Sequence, residues 1–180
     1  GSAQLFGVDL PKNFARPFFA DSVNDFWRRW HITLGAWLRD YVFYSVSLSK
    51  GFGKLSKKAK EKLSPFLGAL IPSAAALFCV WFCNGIWHGA GWKYLAYGMY
   101  YYLIMLLGML LDPLFAKAVS RIHLNRDSGG FHVVRVLRTC VLVVGGMTLF
   151  RAESVGAFGE IMLRIFTDFA PGSIVDGTLL

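Results

Sequence analysis

Charge is scarce in this 180-residue chain: Asp, Glu, Lys and Arg fill 17% of positions, against 55% for apolar residues. Soluble domains usually carry about 25% charged and 45–50% apolar residues, so the shortfall argues against a water-exposed globule. Acidic residues are scarcer still, 11 against 19 basic, which leaves a formal net charge of +8. In a soluble protein that excess would suggest nucleic acid. Here the basic residues cluster at the ends of apolar runs, as juxtamembrane charges do, and nucleic acid is not an expected partner. Cysteine is limited to Cys79, Cys83 and Cys140, all inside apolar stretches and without CxxC or metal-ligand spacing. They read as small buried hydrophobes, and no metal is expected. There is no G-x-S-x-G, no P-loop and no carboxylate pair, so the common hydrolase and nucleotide-binding signatures are excluded. The first 25 residues lack a basic start followed by a continuous apolar core, so no signal peptide is read there.

What is present is apolar and aromatic. Sixteen Phe, seven Tyr and six Trp accompany a mean hydropathy of +0.46, and Trp and Tyr favour membrane interfaces. Residues 65–87 form an uncharged run of more than 20 positions, enough to cross about 30 Å of hydrocarbon, with Pro72 a possible kink. A second run, 94–111, meets Asp112-Pro113, which reads as its stop. A third, 139–150, is short and weakened by Gly145-Gly146; it extends back through Val133 if Arg135 and Arg138 snorkel. Residues 155–169 suit a final amphipathic helix. Two basic segments, 50–62 with six lysines and one glutamate, and 117–138, read as water-exposed loops around a Ser128-Gly129-Gly130 turn. The expected fold is all-α: a polytopic membrane helical bundle with amphipathic or re-entrant helices.

One of those amphipathic elements lies near the start. Ser22 and Asp25 have capping-box spacing, and Trp27, Trp30, His31, Leu34, Trp37, Leu38 and Tyr41 then recur at helical spacing. Arg28, Arg29, Arg39 and Asp40 lie off that stripe, so a simple lipid-exposed span is not expected; Arg39 and Asp40 read as a structural pair. Four histidines occur. His123 and His132 lie in polar sequence and read as solvated, whereas His31 and His88 lie among tryptophans. A histidine in apolar sequence is a functional candidate, and the competing reading is an imidazole satisfied by a backbone carbonyl. His88 follows the first charge-free run directly, beside Gly89 and Gly91, which permit close approach. A neutral imidazole there suits a general base. Asn84, one turn earlier, either orients the imidazole or bonds a carbonyl.

Two blocks in these stretches are recognisable. Phe26-Trp27-Arg28-Arg29-Trp30-His31-Ile32-Thr33-Leu34 with Trp37-Leu38-Arg39-Asp40-Tyr41-Val42-Phe43, then Gly85-Ile86-Trp87-His88-Gly89-Ala90, resemble the signature blocks of the membrane-bound O-acyltransferase family. Leu5-Phe6-Gly7, Leu10-Pro11-Lys12-Asn13-Phe14 and Phe150-Arg151-Ala152-Glu153-Ser154 resemble its branch of alginate O-acetylation and teichoic-acid D-alanyl transfer proteins. The resemblance implies that residues 1–180 are the C-terminal portion of a single, longer domain whose N-terminal half is absent, so that this piece alone lacks a complete tunnel. It implies His88 as the essential histidine and His31 as the second, with Asn84, Trp87, Gly89, Trp30, Arg39 and Asp40 supporting them. It implies no bound cofactor. The acyl donor, an acetyl or D-alanyl thioester or an acyl-carrier protein, is a substrate reaching the site from the cytoplasm, and the acceptor is the hydroxyl of an extracellular polymer, acetylated polysaccharide being preferred. Membrane lipid and partner transfer proteins complete the expected surroundings. A non-catalytic scaffold or transporter fragment is the alternative.

Segments 50–62 and 117–132 are both basic and bracket an apolar hairpin, so they are expected on the cytoplasmic face of a multi-pass protein in the cell membrane. An impermeant maleimide should miss cysteines placed at Lys57 or Arg126 in intact cells and label both once the membrane is opened. Labelling of either from outside contradicts the shared face.

Overall fold

A computed structural model describes residues 2–121, 125 and 128–168. Nine α-helices follow one another among them: α1 (Ser2–Leu5), α2 (Val23–Arg29), α3 (Ile32–Trp37), α4 (Tyr44–Ser47), α5 (Lys50–Lys62), α6 (Pro65–His88), α7 (Trp92–Arg121), α8 (Gly129–Arg151) and α9 (Val155–Thr167). A 3-10 turn at Pro17–Phe19 and a π-helical stretch at Leu38–Phe43 complete the order. No strand occurs among the described residues, only an isolated bridge between Phe14 and Trp30. The architecture is the all-α one expected of a membrane bundle. Helices α6, α7 and α8 are long and apolar enough to cross a membrane. Their 24, 30 and 23 residues correspond to about 36, 45 and 35 Å at the α-helical rise.

Serine opens five of these helices. The side chains of Ser22, Ser49, Ser64, Ser128 and Ser154 accept the backbone N–H three residues on, at 3.1–3.4 Å. Each relieves one of the unpaired donors of a helix start, and Pro65, in the first turn of α6, has no N–H to satisfy. Asp25 donates its backbone N–H to Ser22, while its carboxylate pairs with Arg29 at 2.8 Å one turn on.

Helices α6, α7 and α8 pack antiparallel, and small residues set how closely. A Cβ on Gly85 would lie 2.7 Å from the Tyr94 carbonyl, and one on Gly98 would collide with the Trp81 carbonyl. Along α7 and α8 the Tyr100 hydroxyl donates to the Leu142 carbonyl at 2.7 Å and the Tyr101 hydroxyl to that of Val143 at 3.2 Å. Gly145 and Gly146 leave room for those phenols, so the pair that weakens α8 on propensity is what admits its neighbour. At the far end the Lys93 ammonium donates to the Ala152 carbonyl at 3.1 Å. That places a cation on the negative end of α8, where it is favoured. The chain order therefore puts the start of α6, the end of α7 and the start of α8 at one end of the bundle, with Lys62, Lys117 and Arg121. His88 and Arg151 lie at the other.

Several expectations need correction. Segment 50–62 is a helix, not a loop. Lys, Ala and Glu favour helix, and α5 folds back along the first turns of α6, burying Ala59 while its lysines stay exposed. Asp112-Pro113 does not end its run: α7 continues through Pro113 to Arg121, since one missing donor is tolerated within a long apolar helix. Helix α8 starts at Gly129, earlier than expected, and Arg135 does not snorkel but pairs with the Asp21 carboxylate, while Arg138 donates to the Asp21 carbonyl at 3.2 Å. The cysteines are not buried; Cys83 is exposed and the other two half-buried. His123, Arg126 and Phe169 lie outside the described residues.

The aromatic stripe 22–44 is also not one amphipathic helix, because α2 ends at Arg29 and α3 begins at Ile32. Trp27 packs at 4.9 Å against both Trp81 and Tyr101, and Phe26 is buried with Val143. Trp37 and Tyr41 stack on each other at 5.4 Å and are exposed.

The glycine contacts give a direct test. Gly98→Val should cost roughly 1–3 kcal/mol through forced repacking, read as a lower thermal midpoint in detergent. Gly108→Val, where a new Cβ meets nothing within 4 Å, should leave the midpoint nearly unchanged.

Candidate active site

His88 is the last residue of α6, and the helix runs unbroken through Gly85 to reach it. The chain turns at Gly89, whose φ of 151° few side chains adopt, and whose Cβ position lies 2.6 Å from the Tyr94 ring. The imidazole is half-buried and surrounded by rings from three helices. Trp87 lies at 4.7 Å, Phe150 at 5.0 Å, Tyr97 at 5.6 Å and Tyr94, nearly parallel, at 6.5 Å. No side-chain hydrogen bond holds either imidazole nitrogen among the described residues, which leaves the unprotonated nitrogen open to a substrate proton. The backbone-carbonyl reading of His88 finds no support here.

His31 reaches the same place from a separate part of the chain. Helix α2 lies along α8, with Phe26 and Trp30 packed beside Val143 and Met147, so its end approaches the level of Phe150. There the backbone breaks. His31 adopts φ 48°, ψ 52°, the left-handed conformation, uncommon for a residue with a side chain. Its ring packs against Phe14 at 5.1 Å and Trp30 at 5.7 Å. It lies within electrostatic reach of His88. Two histidines 57 positions apart in sequence are thereby directed to one end of the bundle.

The other expected residues divide. Trp30 and Trp87 each contact one of the histidines, though Trp87 is 61% exposed. Gly89 shapes the turn, its free side filled by Tyr94. Asn84 is buried at 4% exposure, and its Oδ1 has no partner among the described residues; no hydrogen bond joins its side chain to the imidazole or to a carbonyl. Arg39 and Asp40 lie on the exposed π-helical stretch, paired with each other at 2.8 Å. The hydrogen bond that Arg39 donates to Asp40 holds the Asp40 carboxyl below the usual carboxylate range and raises the guanidinium. Among the described residues no hydrogen bond or ion pair joins this pair to either histidine. A recess of about 220 Å³ is lined by Ile86, Gly89, Ala90, Gly91, Trp92 and Leu95, beside the turn rather than around the imidazole.

Tyr94 and Tyr97 escape a sequence reading because they lie inside a uniformly apolar run, where nothing distinguishes ring-contacting tyrosines from lipid-facing ones. Phe150 carries a signal, since it opens the Phe150–Ser154 block.

This arrangement, a histidine at a helix end inside an aromatic surround with a second histidine at the same end of the bundle, accompanies clear sequence similarity. The model of the membrane-bound O-acyltransferase family matches residues 1–61. The chain is 31% identical over 167 residues to a probable alginate O-acetylase AlgI of Pseudomonas syringae pv. tomato, covering 93% of this chain and 27% of the relative. The chain is thus similar to the membrane-bound O-acyltransferase family over nearly its whole length. A teichoic acid D-alanyltransferase of Bacillus subtilis is 33% identical over 106 residues, 58% of this chain and 24% of its own length. A peptidoglycan O-acetyltransferase of Helicobacter pylori is 32% identical over 99 residues, 55% and 16%. The chain thus spans about a quarter of the alginate O-acetylase relative's length.

Gly89→Ala should remove the turn's freedom and strike the Tyr94 ring, at a cost of order 1–3 kcal/mol. Thermal unfolding in detergent checks this; Gly91→Ala, with ordinary contacts and no unusual φ, is the control expected to show little change.

Proposed function

We propose that this chain is the histidine-bearing part of a multi-pass membrane O-acyltransferase. The enzyme moves an acyl group, acetyl in the preferred reading, from a thioester donor on the cytoplasmic side to a hydroxyl of an extracellular polysaccharide or cell-wall polymer. The observation that carries this is the convergence of His88 and His31 at one end of the bundle, with neither imidazole tied up by a hydrogen bond among the described residues. Similarity to that family and to relatives named for alginate, teichoic acid and peptidoglycan acylation supports it. The basic residues of α5 and of the end of α7 lie at the opposite end, which suits a cytoplasmic face there and a site in the outer half of the membrane.

The chemistry follows from the residues. The acceptor hydroxyl attacks the acyl carbonyl while His88 takes its proton, so that the alkoxide is never formed free. The carbon–sulfur bond of the thioester breaks as the carbon–oxygen ester bond forms. The proton on His88 then passes to the departing thiolate, returning the imidazole to its neutral state. His31 orients or polarises the donor carbonyl. The surrounding rings exclude water, which favours transfer to the polymer over hydrolysis. Transfer of D-alanine to teichoic acid is a second reading, supported by the similarity to the Bacillus subtilis protein. Mass spectrometry of cell-wall polymers from cells with and without the full-length protein separates the two.

His88→Ala should reduce acyl incorporation by about 10²–10⁴-fold, the usual weight of a general base. The loss should fall in turnover rather than donor affinity, with membrane abundance unchanged. His31→Ala should impair transfer less. A well-expressed His88→Ala protein with near-normal incorporation removes the mechanism and leaves the scaffold reading.

A further inference from the structure

The break that directs His31 is held by a residue far from it in sequence. Residues 13–15 run antiparallel across positions 29–33. The Ala15 N–H donates to the Arg29 carbonyl at 2.9 Å and the Ile32 N–H to the Asn13 carbonyl at 3.1 Å, flanking the Phe14–Trp30 bridge. The Asn13 side chain adds a second tie, since its Oδ1 accepts from the Thr33 N–H at 3.0 Å and from the Thr33 hydroxyl at 2.7 Å. One asparagine therefore satisfies two backbone or hydroxyl donors at the start of α3 and, through its carbonyl, a third. Helix α3 has no cap of its own, because His31 stands at the capping position and its side chain makes no capping bond. Asn13 supplies that cap from a distance.

The strain makes this more than local tidiness. A non-glycine residue in the left-handed region costs of order 1–3 kcal/mol and persists only where its surroundings over-determine it. His31 is flanked by the two segments that the strap binds, α2 through Arg29 and α3 through Ile32 and Thr33. Without the Asn13 side chain, the start of α3 loses its acceptor, and His31 is free to relax toward the right-handed region. That relaxation would turn the imidazole out of its place against Phe14 and Trp30.

We infer that Asn13 is a positioning residue for the transfer reaction, its side-chain amide holding Thr33 so that His31 keeps the left-handed backbone that seats its ring against Phe14 and Trp30. The inference rests on the proposed role of His31 in acyl transfer. It assigns Asn13 no contact with substrate: its effect passes entirely through His31.

The test is a double-mutant cycle on acyl incorporation by the full-length protein in native membranes, with protein level measured alongside. Asn13→Leu, which keeps bulk but removes the acceptor, should lower kcat by between about 10-fold and 10²-fold, the scale on which a displacement near 1 Å acts, with little change in KM for the donor. Asn13→Asp, which keeps an oxygen acceptor for both Thr33 donors, should recover activity to within a few-fold of the parent. On the His31→Ala background, Asn13→Leu should cause no further loss, because its route to the chemistry is already gone. Multiplication of the two losses overturns the inference and makes Asn13 a general structural residue. So does a fully active Asn13→Leu protein when His31→Ala is impaired. If His31→Ala itself is fully active, the proposed role of His31 fails first and the inference with it. Should Asn13→Leu not reach the membrane, Thr33→Val carries the test. It removes the hydroxyl donor alone, and its smaller kcat loss should likewise vanish on the His31→Ala background; a loss that persists there overturns the inference.

Discussion

Where a helical ladder breaks among apolar side chains, the freed peptide groups need partners from elsewhere in the chain. The ladder breaks at Trp30 and His31, and the strap at residues 13–15 meets the need with backbone bonds to Arg29 and Ile32. The rest of the candidate site depends on that exchange. A helix continued through His31 would carry its aromatic stripe straight on, whereas the break lets α2 stay on α8 and α3 leave in a new direction. The same principle governs the far side of the site, where α6 ends at His88 and the Gly89 N–H closes its last turn on the Ile86 carbonyl at 3.1 Å.

The surrounding packing serves the same geometry. Trp81 stacks on Tyr101 at 5.0 Å, and Trp27 meets both edge-on. Ring pairs of this kind add about 0.5–1.5 kcal/mol beyond their buried area. Close helix approach at Gly85 and Gly98 brings α7 near enough to place Tyr94 and Tyr97 around His88. Lys93 ties the start of α7 to the end of α8, so Phe150 arrives at the same level. Many residues elsewhere on the spans, such as Phe82, Leu107, Leu137 and Val141, are apolar and exposed. Lipid or further protein suits those faces.

Much of this was legible from residue order. Absence of charge marked the three spans, because crossing hydrocarbon imposes length and composition together. Ser22 marked the start of α2, and both histidines stood out against apolar neighbours. What periodicity could not reveal was the break at His31. Its cause is Asn13, 20 residues from Thr33, and i, i+3, i+4 spacing is blind to a distant hydrogen bond. Lysine content suggested water for residues 50–62, yet helix propensity and a face containing Ser56, Ala59 and the Lys60 stem fold them onto α6. Asp112-Pro113 resembled a stop because the rule comes from helices in water. Asn84 lies one turn before His88 on α6, and among the described residues its Oδ1 lacks the partner that spacing suggested.

The central claim is that the break brings His31 and His88 to one site. Cysteines placed at both positions, in a protein whose Cys79, Cys83 and Cys140 are replaced, should be joined by a short bis-maleimide in native membranes. Replacing Asn13 with Leu in that protein should reduce the yield of cross-link. If each cysteine reacts readily with a monofunctional maleimide yet the pair never cross-links, the two histidine positions do not share a site and the account is wrong.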